Sequence, residues 1–124
     1  MGETQLERTE ALRARTKAFA LRLIRLVGSL PHSEAARVLS RQVLRSGTSV
    51  AANYRAASRA RSVAEFTAKL GVVVEEADET VFWLELLTES GLIAPERIAD
   101  LLDEARQLTA IFTAARATAR RRTS

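Results

Sequence analysis

A chain of 124 residues, of which 47% are hydrophobic, can bury one continuous core, so we expect residues 1–124 to form a single domain. The absence of cysteine excludes disulfides and cysteine-based zinc sites, and no apolar run is long enough for a membrane span or a signal peptide, which predicts a cytoplasmic protein without membrane contact. The net charge of +4 suggests an acidic partner without identifying it.

The first two predicted helices cover about residues 4–29 and 34–60. In both, apolar residues recur at intervals of three and four, which places them on one face of a helix. This face contains Leu12, Phe19, Leu23, Leu26 and Leu30 in the first segment and Leu39, Val43, Val50, Tyr54 and Ala57 in the second. Pro31 ends the first segment, and Ser33 is a typical N-cap for the second.

The third predicted helix covers about residues 62–90. Ser62 and Glu65 fit a capping box at its start, and Gly91 fits its C-terminal stop. Its apolar residues exceed one face: Phe66, Leu70, Val73, Ala77 and Leu84 form one stripe, and Val74, Val81, Leu86 and Leu87 lie off it. Because exposed apolar patches usually mark interfaces, this excess predicts self-association.

The fourth predicted helix covers about residues 95–119 and begins at Pro95, which suits a first helical turn. Its apolar face contains Ile98, Leu101, Leu102, Ala105, Leu108 and Phe112. A basic C-terminal tail follows over residues 116–124. Four amphipathic helices joined by short links predict an all-α fold, an antiparallel up-down-up-down four-helix bundle.

Side chains suited to catalysis or metal binding are scarce. His32 is the one histidine and falls in a predicted loop, so the chain cannot supply the Glu-x-x-His ligands of a di-iron bundle site. There is no phosphate-binding glycine loop and no pairing of a nucleophile with a histidine. We therefore predict a protein that is not an enzyme and has no metal or cofactor.

Charge is distributed unevenly along the chain. Residues 1–61 carry a net charge of +8, residues 62–113 carry −8, and residues 114–124 carry +4. The first two regions can neutralise each other inside a bundle, which is the simplest interpretation of the pattern. The C-terminal arginines are the part that internal pairing explains least.

A polar stripe runs beside the apolar face of the second predicted helix. It consists of Gln42, Arg45, Ser49 and Asn53, spaced by three and four residues. If the second and third helices run antiparallel about a turn near Arg61, Arg45 lies level with Glu76, and we predict a salt bridge between them. The stripe either sets the helix register through this ion pair or binds a ligand, and the first interpretation is favoured.

A row of arginines with four-residue spacing follows the same helix on either side of Gly47. Its members are Arg37, Arg41 and Arg45, then Arg55 and Arg59. Such a row can track phosphates, and the scarcity of aromatic residues for base stacking predicts backbone contacts with little base readout.

A longer motif surrounds these residues. Over the stretch from Leu39 to Arg59, the residues that carry it are Gln42, Arg45, Ser49, Val50, Asn53 and Arg59. Matching positions continue through Glu65-Phe66, Lys69-Leu70, Glu76-Ala77, Glu79 and Trp83-Leu84. This pattern closely resembles the four-helix-bundle proteins encoded within 23S rRNA intervening sequences, over about residues 17–112. Ala56 and Ala57 depart from an acidic residue and a glycine common in that family.

The resemblance implies a four-helix bundle assembled into a ring-like homopentamer with no established enzymatic activity. The family is in turn similar in fold to the accessory variability protein of diversity-generating retroelements, a pentameric basic barrel that binds nucleic acid and a reverse transcriptase. This second step is an analogy between folds.

The leading hypothesis is a non-catalytic homo-oligomer that binds RNA or DNA through arginines. The candidate contacts are Arg37, Arg41, Arg55, Arg59, Arg120, Arg121 and Arg122. The alternative is a protein-binding scaffold or adaptor, in which the arginines pair with the acidic third and fourth helices and an outer face binds another protein.

Overall fold

A computed structural model of the protein describes residues 2–123 as four helices. They are α1 (Gln5–Gly28), α2 (Glu34–Ala57), α3 (Val63–Glu89) and α4 (Pro95–Thr123), and no strand occurs within the described range. The predicted all-α four-helix bundle is confirmed. No helix among the described residues is both long and apolar enough to cross a membrane.

Hydroxyl side chains cap the first three helices. Thr4, Ser33 and Ser62 each accept a hydrogen bond from the backbone N–H three residues later, as the sequence predicts for the two serines. Gly91 follows α3 with a φ of 80°, a left-handed conformation that glycine adopts without steric cost. Pro95 is the first residue of α4, as predicted.

Two predicted boundaries are wrong. The second helix ends at Ala57, because residues 58–60 continue in a tighter turn in which the Arg59 and Ala60 amides bond three residues back. The predicted basic tail is helical as far as Thr123, and only residue 124 lies outside the described range. Alanine and arginine are strong helix formers, and positive charges at a helix C-terminus interact favourably with its dipole, so the helix continues.

The apolar faces of the four helices meet in one core. Its largest fully buried side chains include Phe19 and Leu23 of α1, Val43 and Val50 of α2, Leu70 and Leu84 of α3, and Leu108 and Phe112 of α4. Successive helices pack together closely, whereas α1 and α4 have the smallest contact of any two touching helices. The bundle is therefore most open along the seam between its first and last helices.

The apolar excess of α3 is partly explained by packing within the chain. Leu87, which lies off the predicted stripe, is fully buried, while Val74, Val81 and Leu86 are half-buried. This helix packs against both α2 and α4 and so buries a wide arc of its circumference. Interpreting Leu87 as surface excess is wrong, and the large exposed apolar residues of α3 are Val63, Val72 and Phe82.

Candidate functional site

The predicted salt bridge between α2 and α3 is present. Arg45 Nη1 lies 3.2 Å from Glu76 Oε2, and Arg45 Nη2 donates to Glu79 Oε1. The Arg45 Nε donates to Gln42 Oε1 at 3.0 Å, and the indole of Trp83 donates to Glu79 at 3.2 Å. The guanidinium is thus held on three sides by groups within the bundle.

The rest of the polar stripe forms a second, separate group. Asn53 Nδ2 donates to both the carbonyl oxygen and the hydroxyl oxygen of Ser49, at 2.9 and 2.7 Å. Between the two groups lies a contact that sequence reasoning missed: Thr80 Oγ1 is 2.9 Å from Ser46 Oγ, and both side chains are fully buried. Their positions beside Arg45 and Glu79 are the signal that could have predicted it.

The arginine row of α2 lies on the outside of the bundle. At 3.6 residues per turn, Arg41 and Arg55 lie on the side of α2 opposite the buried Val50. Arg37 shares this side and pairs with Glu34 of its own helix at 2.6 Å. Arg59 follows in the turn after α2 and is also exposed. The structure thus brings Arg37, Arg41 and Arg55 to one surface of α2, and Arg59 follows in the turn beyond the end of this helix.

Most of this row is electrostatically unsatisfied. The guanidinium groups of Arg41, Arg55 and Arg59 make no hydrogen bond or ion pair with any residue in the described part of the chain. We refer to these three residues as the basic row. An exposed row of unpaired guanidinium groups can bind an extended anion.

A groove between α1 and α2 adds two cations that sequence reasoning missed. Arg13 and Lys17 of α1 line it together with Arg55, while Glu10 is its only acid among the described residues. Its floor is made of small residues, Ala14, Ala51 and Ala52, and its volume is about 470 Å³. The four-residue spacing of Arg13 and Lys17, which also separates Arg55 from Arg59, was the available signal.

The C-terminal arginines lie at the end of α4, where all three are exposed. Arg121 donates to the hydroxyl of Thr118 at 3.2 Å. Arg122 lines a recess with Ser58 and Arg61, beside the turn that joins α2 and α3. Arg61 of the α2–α3 turn and Arg122 of α4 are far apart in the sequence, but they lie at the same end of the bundle.

Internal charge pairing accounts for other arginines of the first half. Arg15 of α1 forms a two-pronged ion pair with Glu104 of α4, with both N–O distances at 2.7 Å. This hydrogen bonding raises the pKa of Arg15 above its ordinary value, against the opposing effect of burial. The acidic helices thus neutralise Arg15 and Arg45 while leaving the basic row unpaired.

Metal ligands do not converge anywhere within residues 2–123: no group of three or more His, Asp or Glu side chains there is arranged to hold an ion. His32 is exposed in the link between α1 and α2.

Comparison with known proteins agrees with the observed four-helix fold. The family model described as 23S rRNA-intervening sequence protein matches residues 10–114. The chain belongs to this family. A solved structure of a protein of unknown function from the S23 ribosomal protein family of Bacteroides thetaiotaomicron is 32% identical, with a TM-score of 0.81. The alignment covers 88% of this chain and 97% of that one. No functionally curated protein matches the chain.

The matched region contains the polar stripe and the basic row but excludes both ends of the chain. The C-terminal arginines and the first turns of α1 lie outside residues 10–114. Family membership therefore bears on the surface of α2 and carries no implication for Arg120, Arg121 and Arg122.

Proposed function

We propose that this member of the family is a non-catalytic, homo-oligomeric helical bundle that binds RNA or DNA by contacting phosphates. The observation that carries the proposal is the contrast between Arg45 of α2 and the basic row, which lies on α2 and in the turn that follows it. Arg45 is engaged by two carboxylates of α3, whereas the basic row points away from the core and has no partner in the described chain. Unpaired exposed cations are available for phosphates without breaking an internal ion pair.

The length of the basic surface suits a nucleic-acid backbone. Arg41 and Arg55 are separated by about 21 Å along α2, at 1.5 Å per residue. This distance corresponds to about six steps of a nucleic-acid strand at 3.4 Å each. Arg13 and Lys17 widen the basic surface beside Arg55. Arg122 lies close to the α2–α3 turn, beside Ser58 and Arg61. We include the exposed Arg37 and the C-terminal arginines as additional contacts.

The proposal includes an antiparallel arrangement of the helices. Two pairs of contacts support it between α3 and α4: Gly71 lies against the guanidinium of Arg116, and Glu85 pairs with Arg106. Residue numbers thus rise along one helix as they fall along the other.

We further propose that copies of the bundle assemble into a ring-like homopentamer, as the resemblance to the 23S rRNA intervening-sequence family implies. The exposed Val72 and Phe82 of α3 are the apolar surface that supports self-association. A ring repeats one modest basic row in every subunit and raises the avidity for a long polyanion without any new kind of contact.

The test is a titration of the purified oligomer into labelled RNA and DNA, followed by fluorescence anisotropy at low and near-physiological salt. The variant R41Q/R55Q/R59Q removes the basic row, and R22Q/R25Q/R97Q removes the same charge from a recess between α1 and α4. We expect binding that weakens steeply with salt and is lost in the first variant only. The slope of log K against log salt should flatten by about two to three units if each arginine neutralises one phosphate.

No binding at low salt, or equal losses in both triple variants, would overturn the proposal. A protein-binding scaffold is then the second candidate, favoured by the exposed Phe82, which packs edge-on against Trp83 at 5.1 Å. The scaffold function also predicts that replacing Arg120, Arg121 and Arg122 with glutamine leaves nucleic-acid retention unchanged. Under our proposal this variant binds nucleic acid more weakly.

A further inference from the structure

A cavity of about 340 Å³ opens at the end of the bundle where α1 begins and α4 ends. All four helices line it, with Leu12 of α1, Tyr54 of α2, Phe66 of α3 and Phe112 of α4 forming its apolar wall. The seam between α1 and α4 is the least packed in the bundle, which leaves the cavity accessible from outside. Its size lies at the small end of the range for small-molecule sites, roughly 300–1,000 Å³.

The wall of this pocket is aromatic. Three of the six aromatic residues of the chain line it, and the rings of Tyr54 and Phe112 contact each other with centroids 4.9 Å apart. These two rings are almost fully buried and form the floor, while the half-buried Phe66 and Leu12 remain available to a ligand. A flat apolar group fits such a surface because aromatic pairs gain energy beyond area burial.

The mouth of the pocket is cationic. Arg8 and Arg122 line it together with the polar side chains of Gln5, Thr9 and Thr118, and no carboxylate is among the described residues that line it. Arg8 donates to Gln5 Oε1 at 3.1 Å, and neither Arg8 nor Arg122 has an ion pair with any of the residues that the structure describes. Two arginines that line one mouth without a lining carboxylate can pair with an anion.

The floor contributes no negative charge of its own. Burial raises the pKa of the Tyr54 phenol above its ordinary value, with Thr9 and the positive charge of Arg13 acting in the opposite direction. The phenol is therefore neutral at physiological pH and does not repel an anion.

We propose that this pocket binds a small aromatic anion, whose ring lies against Phe66 and Leu12 and whose carboxylate or phosphate pairs with Arg8 and Arg122. A carboxylate ligand and a phosphate ligand share the same recognised features, which are a negative head group and a flat apolar body. The site shares Arg122 with the proposed nucleic-acid surface, but Arg8, Phe66 and Ala115 lie outside that surface, so the site can be tested separately.

The test is calorimetric titration of the full chain with 2-naphthoate, 2-naphthyl phosphate, uncharged 2-naphthol and inorganic phosphate. We expect both naphthyl anions to bind at least about tenfold more tightly than naphthol or inorganic phosphate, since each of these lacks one of the two recognised features. The largest NMR shifts should fall on the amides of Phe66 and Thr118. The preferred head group identifies whether the natural ligand is a carboxylate or a phosphate.

Two variants and two matched controls locate the binding. A115F fills the cavity, and A110F adds the same ring at an exposed position of α4 outside it. R8Q removes one charge at the mouth, and R25Q removes one elsewhere on α1. We expect A115F to abolish binding and R8Q to weaken it about fivefold, with both controls unchanged.

Equal affinity for naphthol and naphthoate would overturn the proposal, as would binding by R8Q that equals binding by R25Q, or no saturation at millimolar probe. R8Q changes only an exposed side chain, so it decides the question even if A115F does not fold. Both pocket variants should still bind RNA or DNA if the basic row does, which separates failure of this site from failure of the proposed function.

Discussion

Gly47 of α2 lies directly against Leu23 of α1. A methyl group on Gly47 would stand 2.1 Å from Leu23 Cδ1, and the Leu23 side chain is fully buried. Glycine in mid-helix costs up to about 1 kcal/mol relative to alanine, so its presence here reflects close approach of two helices.

G47A should therefore destabilise the bundle, because forced repacking of about 1–3 kcal/mol exceeds the gain in helix propensity. We expect a net loss of about 1–2 kcal/mol in the free energy of unfolding, measured by urea denaturation. G28A is the matched control, since nothing lies within 4 Å of a methyl group at Gly28, and it should be neutral or stabilising. A stabilised G47A would show that α1 and α2 are not in close contact there.

The ion pair between Arg45 and Glu76 should contribute modestly to stability. Side-chain exposure of 49% for Arg45 and 19% for Glu76 leaves the pair partly screened by solvent. A double-mutant cycle with R45Q and E76Q should give a coupling free energy of about 0.5–1 kcal/mol that decreases at high salt. R45Q alone should cost more than this coupling, because it leaves Glu76 and Glu79 facing each other without a cation. Zero coupling would remove the register-setting role and favour ligand binding by the stripe.

Tyr54 should make stability depend on pH in the alkaline range. Its pKa is raised in the folded chain above the ordinary value of 10.0, chiefly by burial. Between the unfolded and folded pKa values the folded chain holds more protons, so the free energy of unfolding falls as pH rises above about 10. In Y54F this contribution is absent, and the decline above pH 10 should be shallower by up to about 1.4 kcal/mol per pH unit. Coincident slopes in both proteins would contradict the expected burial of the phenol.

The four helices and their caps were predictable because they depend on local signals. Apolar spacing, Ser33 and Ser62 at N-caps, and Pro95 at a first turn act within a few residues. The pair of Arg45 and Glu76 was also predictable, because a short link between two long helices determines which residues lie level.

Features that depend on which helices are neighbours were not predictable in the same way. The burial of Leu87 requires knowing that α3 packs on two sides, and the pair of Arg15 and Glu104 requires knowing that α1 lies beside α4. The pocket that Arg8 and Arg122 line combines opposite ends of the chain, which no local pattern relates. Sequence periodicity describes one helix at a time, whereas this site exists only in the assembled bundle.

Self-association through α3 can be tested at Phe82, which is 51% exposed. F82E places a charge in the proposed interface, where desolvation without a partner is costly, and should weaken association at least about tenfold. I24E is the matched control, because Ile24 is also a large apolar side chain and is 50% exposed, but it lies on α1. The measurement is sedimentation velocity over a range of concentrations, with circular dichroism to establish that both variants are folded. If dissociation follows I24E rather than F82E, the interface lies on α1 and the apolar surface of α3 has another use.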